Sequence, residues 1–153
     1  MTASPRDWLA GSAMNLLVDY YPEIQFRPYG SGCTMANTVP WLRDLKLGYA
    51  CIYAKGHGGY CTWPSSLPTQ HARLGQDMCR FYREATRAAD TRLVCYYSGL
   101  LDGLAGEHHP EWRMQDPDGA PKNPFASFGM DYFLCWAICP LSEYFEQVVQ
   151  VHL

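Results

Sequence analysis

Four side chains able to do chemistry share one short loop: Lys55, His57, Tyr60 and Trp63, in the stretch Ile52–Ser66, IYAKGHGGYCTWPSS. An imidazole titrates near neutral pH and both donates and accepts hydrogen bonds. Indole and phenol rings offer flat faces on which a planar or sugar ring can pack. Gly56, Gly58 and Gly59 leave little bulk around His57. Such glycines read as room for a ligand to come close to the backbone.

Two chemistries fit poorly. The loop has neither G-x-x-x-x-G-K-[ST] nor G-x-G-x-x-G spacing, and its lysine precedes the glycines, so a phosphate cradle is not expected. His57, His71, His108 and His109 contain no H-E-x-x-H arrangement, and adjacent histidines on a loop point apart. No metal and no cofactor are therefore expected. Cys61 is near His57 in sequence, which is poor evidence for a thiolate–imidazole pair.

The elements that must position this loop follow from hydrophobic patterning. Asn15–Tyr20 (NLLVDY) is a short apolar run, read as a buried strand. Asp19 near its end is expected in a pocket, because an isolated buried carboxylate is costly. TVPWLRDLKLG reads as a helix capped by Asn37 or Thr38, with Pro40 in the first turn. Its Trp41, Leu42 and Leu45 would share one face, and Gly48 would stop it. Tyr49–Ala54 is a second strand. ARLGQDMCRFYREATRAAD is an amphipathic helix with Leu74, Met78, Phe81, Tyr82, Ala85 and Ala89 along one stripe. Thr91–Tyr97 is a third strand. A long polar stretch runs from Ser98 to about Cys139, and LSEYFEQVVQVHL after Pro140 reads as a final helix.

Apolar strands alternating with amphipathic helices predict an α/β fold with a parallel sheet buried on both faces. Ligands of such folds meet the carboxyl ends of the strands. Those ends present Asp19 and Tyr20, then Lys55, His57, Tyr60 and Trp63, then Ser98, Asp102, Glu107, His108 and His109. Carboxylates, imidazoles, an amine and aromatic faces together suit a polyhydroxylated ligand. Three βα units are too few for an eight-stranded barrel, which takes about 250 residues. The chain is a small open domain or the first part of a barrel.

Composition narrows the partners. The 153 residues are 48% hydrophobic and 18% charged, with net charge −3 and no basic block. This is a folded globular chain with no electrostatic basis for binding nucleic acid. No apolar run approaches the roughly 18 residues of a membrane span. The start, MTASPRDWLAG, lacks the pattern of a signal peptide. The seven cysteines are odd in number and lack zinc-site spacing, so they read as mostly buried thiols in a reducing, cytoplasmic compartment.

The segment Trp41–Asp102 resembles the N-terminal part of the α-L-fucosidase-type barrel of glycoside hydrolase family 29. The resemblance runs through WLRDLKLGYACIYAKGHGGYCTW and LVCYYSGLLD. The fucosidase pattern after strand two is K-H-H-D-G-F-x-x-W. Lys55, His57, Gly59 and Trp63 match it, and Tyr60 stands for the Phe. Gly56 replaces the first His and Gly58 the Asp, so one of two sugar-holding histidines is kept. GEHHPEWRMQDPDG, Gly106–Gly119, is similar to a run in hypothetical glycoside hydrolases distantly related to the fucosidases. Those proteins also carry an Asp after strand one, which Asp19 matches.

The resemblance implies the first three βα units of a (β/α)8 TIM barrel and hydrolysis of O-glycosidic bonds by an intact parent. It implies a carbohydrate substrate held by His57 and Trp63, with Tyr60, Lys55 and Asp19 in support. The family's nucleophile follows strand four, beyond this chain, so the piece alone is expected to be inactive. Open sheet edges would favour self-association. Two alternatives stand beside this reading: a non-catalytic carbohydrate-binding protein or inactive paralogue, and a small α/β enzyme pairing His57 with Asp102 or Glu107.

Overall fold

The computed structural model describes residues 7–19, 22, 28–124 and 135–153. Three parallel strands form one sheet in the order β1-β2-β3: β1 Asn15–Val18, β2 Tyr49–Lys55 and β3 Arg92–Tyr97. The predicted α/β character and the parallel pairing are both present. Tyr20, at the end of the expected first strand, lies outside the described residues. The expected burial on both faces is not met: β2 buries Ala50, Ile52 and Ala54 on one face and leaves Tyr49, Cys51 and Tyr53 half-buried on the other. Leu17 of β1 is 47% exposed, and Cys95 of β3 is exposed too. Among the described residues, only the central strand has a neighbour on each side.

A short helix, α1 (Asp7–Ala10), precedes β1. Helix α2 runs from Met35 to Asp44, starting earlier than its sequence pattern indicates. Its cap is Thr34, not Asn37 or Thr38. The Thr34 hydroxyl accepts from the Asn37 N–H at 3.2 Å, and the Asn37 side chain accepts from the Thr34 N–H at 2.9 Å. This reciprocal pair satisfies two end donors with Asn in the place Glu or Gln usually takes. Pro40 consequently lies inside the helix rather than in its first turn. Leu45 caps the other end and Lys46 takes the left-handed conformation, φ 49°. Leu45 is therefore exposed rather than on the buried face. Gly48 is needed for a different reason than expected: a Cβ there would collide with the Ser12 side chain.

Helix α3 is Met78–Ala88, with the Asp77 carboxylate accepting from the Arg80 N–H at 2.9 Å. The residues before it, expected to be helical, are instead tied to the Tyr29 segment. Tyr29 N–H donates to the Arg73 carbonyl, and Gly75 N–H to that of Tyr29, both at 2.8 Å. Helices α2 and α3 cover one face of the sheet, burying Leu42, Ala50, Ile52, Tyr82 and Ala85 in one apolar cluster. Each fully buried large side chain contributes roughly 1.5–3 kcal/mol.

The stretch after β3, expected to be loop, carries helix α4 (Gly103–His108) and a 3-10 turn, Pro110–Trp112. Bridges Leu101–Ala137 and Arg113–Ile138 tie it to the later chain. The C-terminal helix differs from expectation as well. Leu141 is 94% exposed, residues Phe145–Val149 are π-helical, and α5 is Gln150–His152. In a regular α-helix, positions eight apart are rotated by about 80°. The wider π turn brings Tyr144 and His152 to the same side. The Tyr144 hydroxyl there is 3.1 Å from Lys55 Nζ, and His152 Nδ1 is 2.8 Å from the Tyr97 hydroxyl. A second cluster forms from Ala105, Trp112, Ile138, Tyr144 and Val149. Among the described residues, no helix is long and apolar enough to cross a membrane.

Candidate functional site

The glycine loop does not open onto a ligand at Gly58 and Gly59. It docks against the start of α4. Gly103 N–H donates to the His57 carbonyl at 2.9 Å, and Leu104 N–H to the Gly58 carbonyl at 3.1 Å. Ala105 N–H donates to Asp102 Oδ1 at 2.8 Å, and Asp102 N–H itself to the Trp136 carbonyl at 3.0 Å. All four end donors of α4 are thereby satisfied, so this helix start offers nothing to an anion. Gly59 has φ 92°, and a Cβ on it would collide with Asp102 and Leu104. The close approach predicted from the glycines is real, but the group that approaches is the chain itself.

Lys55 ends β2 and is fully buried, as is Asp102. Its ammonium lies 2.8 Å from Asp102 Oδ2 and donates to the Ser98 carbonyl at 2.9 Å and the Tyr144 hydroxyl at 3.1 Å. An ammonium has three N–H groups, and these partners account for them. The Tyr144 hydroxyl in turn donates to Asp102 Oδ2 at 2.8 Å. Burial first, then the Asp102 charge, push the Tyr144 phenol up. Tyr97 is raised for the same two reasons, so both phenols stay protonated as donors. Direct sugar contact by Lys55, expected from the sequence, does not fit: no part of its side chain reaches a surface. It anchors the structure beneath the site.

A cleft of about 530 Å³ opens at the carboxyl ends of β2 and β3, its lining including His57, Tyr96, Tyr97, Ser98, Met114 and Phe145. His57 Nδ1 is 2.9 Å from Ser98 Oγ. The Ser98 hydroxyl has one proton, and it goes to the Leu101 carbonyl at 2.7 Å. Nδ1 must therefore be the donor in its contact with Ser98, which makes Nε2 the acceptor nitrogen of the neutral ring. The same assignment rules out Ser98 as a nucleophile deprotonated by His57, because the nitrogen facing it already holds a proton. The Tyr96 ring meets His57 edge-on at 5.9 Å.

Of the five residues expected to hold a ligand, His57 alone lines this cleft. Trp63 packs edge-on against His152 at 5.1 Å. Tyr60 lies near the buried His71, with ring centres 6.2 Å apart. Asp19 is exposed just past the end of β1. His57 is not paired with Asp102 or Glu107: its Nδ1 partner is Ser98, Asp102 is buried against Lys55, and Glu107 is exposed. His109 stacks on Trp112 at 3.7 Å and contacts Glu111 at 2.9 Å, a local arrangement. The described residues hold no cluster of three or more metal-ligating side chains.

His152 was not foreseen at all. Tyr97, kept protonated, donates to its Nδ1, so Nε2–H faces Ser65 at 3.1 Å and Thr69 at 3.0 Å. Burial, then the Lys55 charge, lower its pKa, and Asp102 opposes them. Met114 and Phe145 gave no signal in the sequence either. Tyr96, in the LVCYYS run, was within reach as the residue before a strand end.

No family model matches the chain, and no curated protein does. Its fold is similar to that of α-L-fucosidase isoenzyme 2 from Paenibacillus thiaminolyticus, with a TM-score of 0.74 at 19% identity over 89% of this chain. A hypothetical protein from Ruminiclostridium thermocellum is similar over 77% of this chain, with a TM-score of 0.56 at 10% identity. The chain spans 20% of the length of the first and 60% of the second. At these identities the likeness is one of fold: an α/β chain with a three-stranded parallel sheet.

Proposed function

We propose that the chain is the N-terminal part of a (β/α)8 glycoside hydrolase related to the family 29 fucosidases, and that it supplies sugar-binding residues for cleavage of O-glycosidic bonds. The observation that carries this reading is the cleft at the carboxyl ends of β2 and β3, with His57 fixed at its wall. His57 Nε2 accepts a hydrogen bond from a ligand hydroxyl. Tyr96, Met114 and Phe145 pack on the apolar face of the ring. Lys55, with Asp102 and Tyr144, is a positioning group that fixes the strand ends. Tyr60, Trp63 and Asp19 act from the outer part of the same edge, against parts of the ligand beyond the first sugar. Alone, the chain binds without cleaving. Its open edges, β1 and β3, take the neighbouring strands of a barrel, or another copy of the chain when those are missing.

Titration with aryl glycosides, the fucoside included, followed by NMR tests the binding. Saturable shifts centred on His57 and Tyr96, lost in His57→Ala, are expected. A folded chain that shows no such shifts with any of these sugars refutes the cleft as a sugar site. Turnover that survives purification and disappears in His57→Ala refutes the inactivity of the chain.

A second reading, a non-catalytic carbohydrate-binding protein or inactive paralogue, is favoured by one observation. Among the described residues, no Asp or Glu lines the cleft. A retaining glycosidase needs two carboxyl groups about 5–5.5 Å apart. Joining the chain to a downstream strand that ends in Asp separates the readings: restored turnover supports the hydrolase, and continued binding without turnover supports the module.

A further inference from the structure

A second pocket, of about 140 Å³, lies between α4, residues 67–69 and the π-helical segment. Its apolar walls are Leu67, Pro68, Leu104, Ala105, Trp112 and Val148. Three chain segments line both this pocket and the cleft. Leu101 lines the cleft and Asp102 the pocket; Met114 and Trp112 divide in the same way, as do Phe145 and Val148.

The polar groups deep in these walls are already spent. The Asp102 carboxylate has no exposed surface: Oδ1 accepts from the Ala105 N–H, and Oδ2 from Lys55 and Tyr144. The buried Thr69 hydroxyl lies 3.0 Å from His152 Nε2 and donates to Ser65 Oγ at 3.4 Å. A buried water needs about two to four polar partners, whereas an apolar cavity of roughly 150 Å³ takes a benzene-sized molecule instead. The mouth differs from the interior. His108 and Gln147 are the exposed polar side chains of the lining, and either can accept from a hydroxyl. The His109 ring, stacked on the buried Trp112 at 3.7 Å, carries the aromatic wall outward.

We propose that this pocket binds a small monocyclic aromatic molecule carrying one hydroxyl, a phenol by chemical class. Its ring lies among Leu104, Ala105 and Trp112, and its hydroxyl points to the mouth, toward His108 and Gln147. Volume sets the size of the ring. The apolar walls set its chemistry, because a polyhydroxylated ligand would leave its hydroxyls without partners there. Trp112 and His109 favour a flat ring over an aliphatic one, since aromatic pairs gain from their geometry as well as from burial. The site does not depend on what the cleft binds.

Titration of the unaltered folded chain with phenol, followed by NMR, is the test. Saturable shifts should centre on Leu104, Ala105, Val148 and the Trp112 indole N–H. Benzene should give the same pattern with weaker affinity, because it lacks the hydroxyl. Glucose should leave these residues unmoved. Ala105→Leu and Val148→Phe fill the pocket from two different elements, and in each variant that stays folded the phenol shifts should be lost. His108→Ala should narrow the difference in affinity between phenol and benzene. The absence of saturable shifts with phenol overturns the proposal. A pattern centred on His57 and Tyr96 also overturns it, because it places phenol in the cleft. So do pocket shifts that glucose reproduces, or that survive in a folded, pocket-filled variant.

Discussion

The two sides of the β-sheet's carboxyl end are both buried, but they are held by opposite means. Between the sheet and helices α2 and α3, Leu42, Ile52 and Tyr82 pack by shape. Beyond the strand ends, Lys55 and Asp102 sit with no exposed surface, joined through Tyr144. An apolar cluster degrades gradually, because each lost side chain removes its own contacts and leaves a cavity. A buried ion pair fails abruptly, because removing one partner strands the other charge. The first arrangement gives stability. The second fixes where β2, α4 and the C-terminal helix meet, and so shapes the cleft beside His57.

Mutations can break this contrast. The largest effect is expected for Lys55→Met, which leaves Asp102 charged and buried: about 3–5 kcal/mol lost in urea denaturation. The double variant Lys55→Met with Asp102→Leu should recover much of that loss. Recovery sharpens the contrast, while additive losses erase it. Leu42→Ala follows, at about 2–5 kcal/mol for a fully buried leucine. Pairing it with Ala85→Gly should give losses close to additive if the apolar side behaves as described. Thr34→Ala removes one half of the reciprocal cap on α2 and should cost about 1 kcal/mol, read by the same denaturation experiment.

The smallest effect is a change of slope with pH. His152 has its pKa lowered in the folded chain from 6.5, so the unfolded chain binds the proton first as pH falls. Its contribution is fully present above 6.5 and is lost as pH falls through 6.5 toward the folded value. His152→Gln should flatten stability against pH over that interval. An unchanged slope would show that His152 is not buried neutral against Tyr97.

Much of the apolar side was legible in the residues. NLLV, YACIYA and LVCYY mark the three strands, and Met78, Phe81, Tyr82 and Ala85 recur at helical spacing. The errors there were at ends. Thr34 was passed over as a cap because its partner, Asn37, was taken for the cap itself. The polar side was far less legible. His57 was found because it follows a strand, while its neighbours Met114 and Phe145 follow no rule of spacing. Lys55 was read as a ligand contact, because nothing local shows that an ammonium at a strand end will meet Asp102. Helix α4 has too few residues for a periodicity, and its start depends on the Asp102 side chain and on carbonyls supplied by His57 and Gly58.

The sequence by itself determined the strands and the amphipathic helix. These follow from side-chain periodicity and backbone preference, which act over a few residues. The tertiary structure alone decided that Lys55 is an anchor, that the glycines admit α4, and that His57 presents Nε2 as its acceptor. Lys55 reaches across 43 residues to Ser98 and 89 to Tyr144. Burial of a charge becomes tolerable only when such distant partners arrive together, and no local pattern records that they will.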